Sequence, residues 1–246
     1  MPALEIVPTL RNVRRLVMTP PRFIALLTGC TLAVAAAAQE LPKEGLYGEL
    51  KNGLYIASEG RFRVAVPVLA ELGGKIFDTE NVVTFADDVS THLSIACFPL
   101  DMSLKWELET RGTKDFLAYF YAEHVLPNFQ RRFEGVATER SVFTAELKDG
   151  ALFVFTLLPG GSAFQGKAAV VDSPPPAAKR GTLLFVERGC IFILSSELAE
   201  RVTQRSVFHK SADEENEILR ARLIALTGRM QIPAPRPPAK KAATTP

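Results

Sequence analysis

Residues 141–158 read SVFTAELKDGALFVFTLL: an apolar run from Ser141 to Leu147, then Lys148-Asp149-Gly150, then a second apolar run from Ala151 to Leu158. Asp-Gly between two such runs is a strong hairpin signal, because both residues tolerate the left-handed backbone that a tight turn between twisted strands needs. Residues 181–194, GTLLFVERGCIFIL, repeat the pattern with Arg188-Gly189 at the turn. Two hairpins in succession predict an antiparallel sheet, and with it the fold class.

The same reading extends upstream. Asn52-Gly53 introduces LYIAS (54–58), and Glu59-Gly60 joins it to RFRVAV (61–66), which Pro67 ends. Phe62, Val64 and Val66 alternate with Arg61, Arg63 and Ala65, the period of a half-buried strand. KIFD, NVVTFADD and HLSIACF (92–98) predict further strands, the last stopped by Pro99. The segment Asp101–Thr110, with SLKWELE around the single tryptophan Trp106, alternates without a clear assignment. From Thr113 a helix is expected through DFLAYFYAEHVLPNFQRRF, with Phe116, Leu117, Phe120, Tyr121, His124 and Val125 forming an apolar stripe. Pro127 should kink or restart it. A last helix starts at Ser211, which makes a capping box with Glu214; Ile218, Leu219, Leu223, Ile224 and Leu226 supply its buried face. The sum is α+β: an antiparallel β-sheet built of hairpins, with a long helix and a C-terminal helix packed on its faces. It is not a βαβ-wound nucleotide-binding fold.

The chain has 246 residues, 47% hydrophobic and 23% charged, with 29 Lys+Arg against 27 Asp+Glu. Such a composition excludes a wholly disordered protein. The first stretch carries an address. Arg11, Arg14, Arg15 and Arg22 precede 16 uncharged residues, Phe23–Ala38, which end in small side chains. That run is short for a membrane span, which needs about 20 residues. A basic flank, a short apolar core and Ala36-x-Ala38 predict a secretory signal peptide, residues 1–38, cut after Ala38. Met1 and Met18 are both open as the start. Leu27-Thr28-Gly29-Cys30 offers an alternative, lipidation at Cys30, although the apolar run continues eight residues beyond it. Residues 39–53 read as a polar linker, 54–232 as a single domain with one long loop at 159–180, and 233–246 as a disordered Pro/Ala/Lys tail. Removing residues 1–38 leaves 25 basic and 26 acidic residues, with no Arg/Lys stripe, so nucleic acid is not an expected partner.

Chemistry is sparse. His92, His124 and His209 lack metal-ligand spacing, Asp87-Asp88 and Asp101 lack that of a calcium loop, and Gly160-Gly161-Ser162 lacks the lysine of a phosphate loop. Ser162 and Ser195-Ser196 lack a nucleophile elbow. No catalytic residue, metal or cofactor is expected. Cys97 and Cys190 sit in strand-like runs. They can pair only if those strands are neighbours, and two buried, reduced cysteines is the favoured reading. Phe116, Phe120, Phe129, Phe133, Phe153 and Phe155 build either an aromatic core or a groove for an apolar ligand.

The order of these elements resembles the PsbP-type α/β/α sandwich, the fold of a photosystem II extrinsic subunit. The resemblance rests on GLYIASEGRFRVAVP, NVVTFADDVSTHLSIACF, the long helix, DGALFVFTLL, GTLLFVERGCIFIL and the terminal helix, over about residues 54–230. It implies a non-enzymatic binding or assembly module and has no shared catalytic residues to carry over. The expectation is therefore an exported binding or assembly module of the bacterial envelope, periplasmic or secreted, whose partner is a protein or a small apolar ligand. Membrane contact is expected only if the leader is retained or Cys30 is lipidated. A hydrolase with a site near the 159–180 loop, and a carrier with a Phe-lined groove, are the alternatives.

Overall fold

A computed structural model describes residues 45–165 and 176–234. The expectations for the leader, Met1 or Met18, Cys30, Ala38 and residues 235–246 lie outside these residues. Among the described residues, two antiparallel sheets form. The smaller holds β1 (Glu49–Lys51), β2 (Leu54–Ile56), β3 (Arg63–Ala65) and β11 (Met230–Gln231) in that order. The larger runs β4 (Lys75–Asp78), β5 (Val82–Ala86), β6 (His92–Pro99), β10 (Cys190–Glu197), β9 (Ala177–Glu187), β8 (Ala151–Pro159) and β7 (Ala137–Thr144) from edge to edge. Strand β1 lies inside the stretch read as a linker. Asn52 and Gly53 both take positive φ, 51° and 72°, and fold that stretch back onto β2.

The alternation along β8 divides the core. Phe153 and Phe155 point with Leu183, Phe185 and Phe192 toward α5 (Ala212–Gly228) and the small sheet. Leu152 and Val154 point with Leu184 and Ile191 toward a helical layer. That layer is α1 (Met102–Arg111), α2 (Thr113–Phe120), one π-helical turn (Tyr121–Val125) and α3 (Leu126–Gln130). Pro127 has no N–H to return to Glu123. The chain takes a wide turn instead, in which the Leu126 N–H reaches the Tyr121 carbonyl. The expected restart at Pro127 is thus present. Helix α1 was not legible: it buries no residue fully, and Asp101 caps it by accepting the Leu104 N–H at 2.8 Å.

Helix α5 starts as its sequence dictates, with Ser211 and Glu214 closing a capping box. Leu219, Leu223 and Leu226 are buried, but Ile224 is 43% exposed and does not belong to that face. The helix lies so close to β9 that a Cβ on Gly181 would stand 3.0 Å from the Leu219 Cβ. A short helix, α4 (Glu200–Thr203), follows β10. The long loop is also shorter than 159–180. Ala177–Arg180 continue β9 and pair with Thr156–Pro159, so the connection begins only after Pro159.

Candidate binding site at the polar end of the sheet

Cross-strand rows on the helical face of the large sheet change character along the strands. Ala96, Ile193, Leu184 and Leu152 form an apolar row. Two residues along, Ser94, Ser195, Thr182 and Val154 stand side by side, and the Ser94 and Ser195 hydroxyls share a hydrogen bond of 2.6 Å. Two residues further, Glu197 faces Arg180 and Arg180 faces Thr156. His92 lies one step beyond the Leu93–Ser196 pair and completes that row. The sheet thus runs from an apolar end to a charged end, and the β8–β9 connection leaves from the charged one.

Glu197 is fully buried. Ser162 Oγ donates to its Oε1 at 2.5 Å, the Ala163 N–H to Oε2 at 3.2 Å and Arg180 Nη2 to Oε2 at 3.4 Å. The Phe164 N–H in turn donates to Ser162 Oγ at 2.9 Å. These bonds fasten the start of the β8–β9 connection to β10, which satisfies a carboxylate that would otherwise be costly to bury. The Arg180 guanidinium lies 5.6 Å from the centre of the Phe129 ring. Its Nε and the Thr182 Oγ1 are buried without a hydrogen-bond partner among the described residues. Burial, opposed by Glu197, pulls the Arg180 pKa below its ordinary value.

His92 Nδ1 lies 3.9 Å from Glu197 Oε2. Burial first, then the neighbouring Arg180, pull the imidazole down to about 4, with Glu197 acting the other way. His92 is therefore neutral near pH 7, and the pair is not an ion pair. The unfolded chain takes up this proton near pH 6.5 while the folded chain refuses it until about 4. The contribution is complete above pH 6.5 and is lost as the pH falls toward 4, to the extent of about 3 kcal/mol. His92→Gln should remove that part of the decline. Urea unfolding of both proteins at pH 7.5, 5 and 4 reads it, and superimposable pH profiles would contradict it.

A second cluster lies on the opposite face, hung on the adjacent residue. Lys179 is fully buried and donates to Glu139 Oε1 at 2.8 Å, Glu215 Oε2 at 3.0 Å and the Ala212 carbonyl at 3.1 Å. Arg201 Nη1 holds the other oxygen of Glu215 at 2.6 Å.

Beside the His92 row, the helical layer ends and the face of β4 and β5 is open. A cavity of about 310 Å³ lies there, floored by Thr84, Ala86 and His92, flanked by Lys75 and Phe77, and roofed by Ala163 and Phe164. Phe77 is 59% exposed. A cavity of about 260 Å³ on the other side of His92 is lined by Thr91, Ser196, Arg222 and Arg229.

His92 and Ser162 enter the polar row. His124 is exposed, its ring 4.7 Å from that of Phe120, and His209 is exposed. Asp87 accepts the Val89, Ser90 and Thr91 N–H groups at 2.8–2.9 Å. Burial pushes its pKa up, but these bonds outweigh it and hold the carboxyl below its usual range. Asp101 caps α1, so the three aspartates do not converge. Among the described residues no three His, Cys, Asp or Glu side chains are grouped to hold a metal. The phenylalanines do not line a groove. Phe116 and Phe120 are buried on one face of the sheet, and Phe153 and Phe155 on the other. Phe129 and Phe133 sit by the β8–β9 connection. Arg180, Glu197, Lys179 and Glu215 were missed. Their signal is charge at the end of an apolar strand, in AAKRGTLLF and ILSSEL.

No protein-family model matches the sequence, and no curated protein matches it. The chain is similar to solved structures. Cyanobacterial PsbP (CyanoP) from Synechocystis sp. PCC 6803 is 11% identical with a TM-score of 0.44, over 79% of this chain and 98% of that one. A point mutant of the protein Mog1 is 8% identical with a TM-score of 0.43, over 75% and 97%. The Saccharomyces cerevisiae Ran-binding protein Mog1p is 8% identical with a TM-score of 0.41, over 71% and 91%. A PsbP is thus among the structures this chain resembles, as the order of the elements implied.

Proposed function

We propose that this chain is an exported, non-enzymatic binding module of the bacterial envelope, and that it holds a segment of a partner protein on the open face of β4 and β5. The observation that carries the reading is the cavity roofed by Ala163 and Phe164, with Phe77 exposed at its side. Leu69, Leu72 and Val89 are exposed near the same edge, and the Asp88 N–H donates to the Leu72 carbonyl at 2.9 Å, bringing two of them together. Scattered apolar side chains are ordinary, whereas several gathered at one sheet edge beside a cavity fit an interaction surface. The polar row favours binding over hydrolysis. The Ser162 hydroxyl donates its hydrogen bond to Glu197 and not to an imidazole, and His92 is too weak a base at neutral pH to activate a hydroxyl. Export rests on the basic flank, the short apolar run and Ala36-x-Ala38.

A photo-crosslinking residue placed at position 77 in living cells should join the chain to one protein, while the same residue at Trp106, 61% exposed on α1, should not. Phe77→Asp should reduce co-isolation of that protein at least tenfold and leave stability within about 0.5 kcal/mol, since the side chain faces solvent. Equal adducts at both positions, or none at 77, would remove the proposal. The mass of the native chain tests export. A mature chain beginning at Gln39 supports it, a lipid-modified Cys30 supports it with an anchor, and an intact leader on a cytosolic chain refutes it.

A further inference from the structure

Cys97 and Cys190 lie on neighbouring strands, β6 and β10, and both side chains face the α5 side of the sheet. Cys97 stands opposite Phe192 and Cys190 opposite Pro99, so the two are diagonal neighbours. The Cys97 N–H donates to the Asn81 carbonyl at 2.9 Å, away from β10. The Cys97–Phe192 pair is therefore a non-hydrogen-bonded one, where antiparallel backbones come closest. The right-handed twist of the sheet closes one of the two diagonals at such a pair. Both thiols are free, and Cys190 is close enough to Cys97 to act on its titration. Cys97 is buried, whereas Cys190 is half-buried and lines a cavity of about 220 Å³ with Arg61, Arg188 and Ile232.

We infer that Cys97 and Cys190 are a reversible disulfide-forming pair whose oxidant is a small external disulfide entering through the cavity at Cys190. The chemistry balances in two exchanges. The Cys190 thiolate attacks one sulfur of the external disulfide, forms a mixed disulfide and expels the first thiolate. Cys97 then loses its proton and attacks Cys190 Sγ, forming the Cys97–Cys190 bond and expelling the second thiolate. Two protein thiols are oxidised and one external disulfide is reduced to two thiols. The order follows from access. Burial pushes the Cys97 thiol up to about 12, with the nearby Cys190 adding to it and Arg61 opposing, so Cys190 is the sulfur that meets the reagent.

Oxidised glutathione is the probe, applied to the full folded chain, with peptide mapping by mass spectrometry under non-reducing conditions as the readout. The expected result is a linked pair of peptides containing Cys97 and Cys190 in most molecules, fully released by dithiothreitol. Cys97→Ser should leave Cys190 as a stable glutathione adduct, and Cys190→Ser should leave Cys97 unmodified. A wild-type chain that stops at the Cys190 adduct, or in which neither cysteine reacts while circular dichroism shows it folded, overturns the inference. The wild-type map is decisive even if a variant fails to fold.

Discussion

Lys179→Met should lower the stability of the folded chain by about 3–5 kcal/mol, the range seen when one member of a buried charge cluster is removed. The ammonium is wholly enclosed and meets Glu139, Glu215 and the Ala212 carbonyl. Methionine fills the stem but leaves the Glu215 carboxylate, itself buried, with Arg201 alone among the described residues. Among the described residues Glu139 keeps only the Asn216 amide at 3.3 Å, and it is partly open to water. Most of the loss should therefore come through Glu215. The double change Lys179→Met with Glu215→Leu should be less damaging than the single one, because no buried charge is then stranded. Guanidinium unfolding of the wild type, both single variants and the double variant measures the coupling. A single-variant loss below about 1 kcal/mol would mean that water reaches Lys179 freely.

Phe120→Ala should cost a similar amount, about 3–5 kcal/mol, as a buried aromatic truncated to alanine does. Its ring is 6% exposed and packs 6.0 Å from the ring of Phe116, directly before the π-helical turn. The chain there is held by Tyr121, whose hydroxyl shares a 2.6 Å hydrogen bond with Thr156 on β8. That bond limits how far the helical layer can collapse into the vacated space, which keeps the cost high. Urea unfolding with an unchanged m-value checks it, and a near-neutral result would place the ring outside the core.

What could be read from the sequence was whatever its local chemistry decides. The Ser211–Glu214 box, the Arg188-Gly189 turn and the apolar run from Ala151 to Leu158 each act over a few residues, and each appears in the structure. Helix α1 was hidden because MSLKWELETR has almost no apolar face, and its anchors, Leu104 and Leu108, are outnumbered by exposed neighbours. Ala177–Arg180 fall within the loop that the sequence predicts because they directly follow Pro174-Pro175-Pro176. They join β9 because acids brought from elsewhere receive them. Those acids are distant along the chain: Glu139 is 40 residues before Lys179, Glu215 is 36 after it, and Glu197 is 17 after Arg180. Single-sequence periodicity has no access to such pairings, so the polar end of the sheet was the least legible part of the molecule. The position of Phe77 was open to the same limitation, since alternation tells which residues share a face but not which half of that face a helix will cover.

The adjacency of Lys179 and Arg180 has one more consequence. Successive residues of a strand project to opposite faces, so these two cations are sorted onto opposite sides, one toward Glu215 and the other toward Glu197. Sliding β9 by a single position against β8 would deliver each cation to the other's side and leave two enclosed acids facing nothing that matches them. The pair thus works as an alignment key for the hairpin, discriminating against mis-threaded partners of a strand whose apolar remainder, Leu183 to Val186, would tolerate the slip.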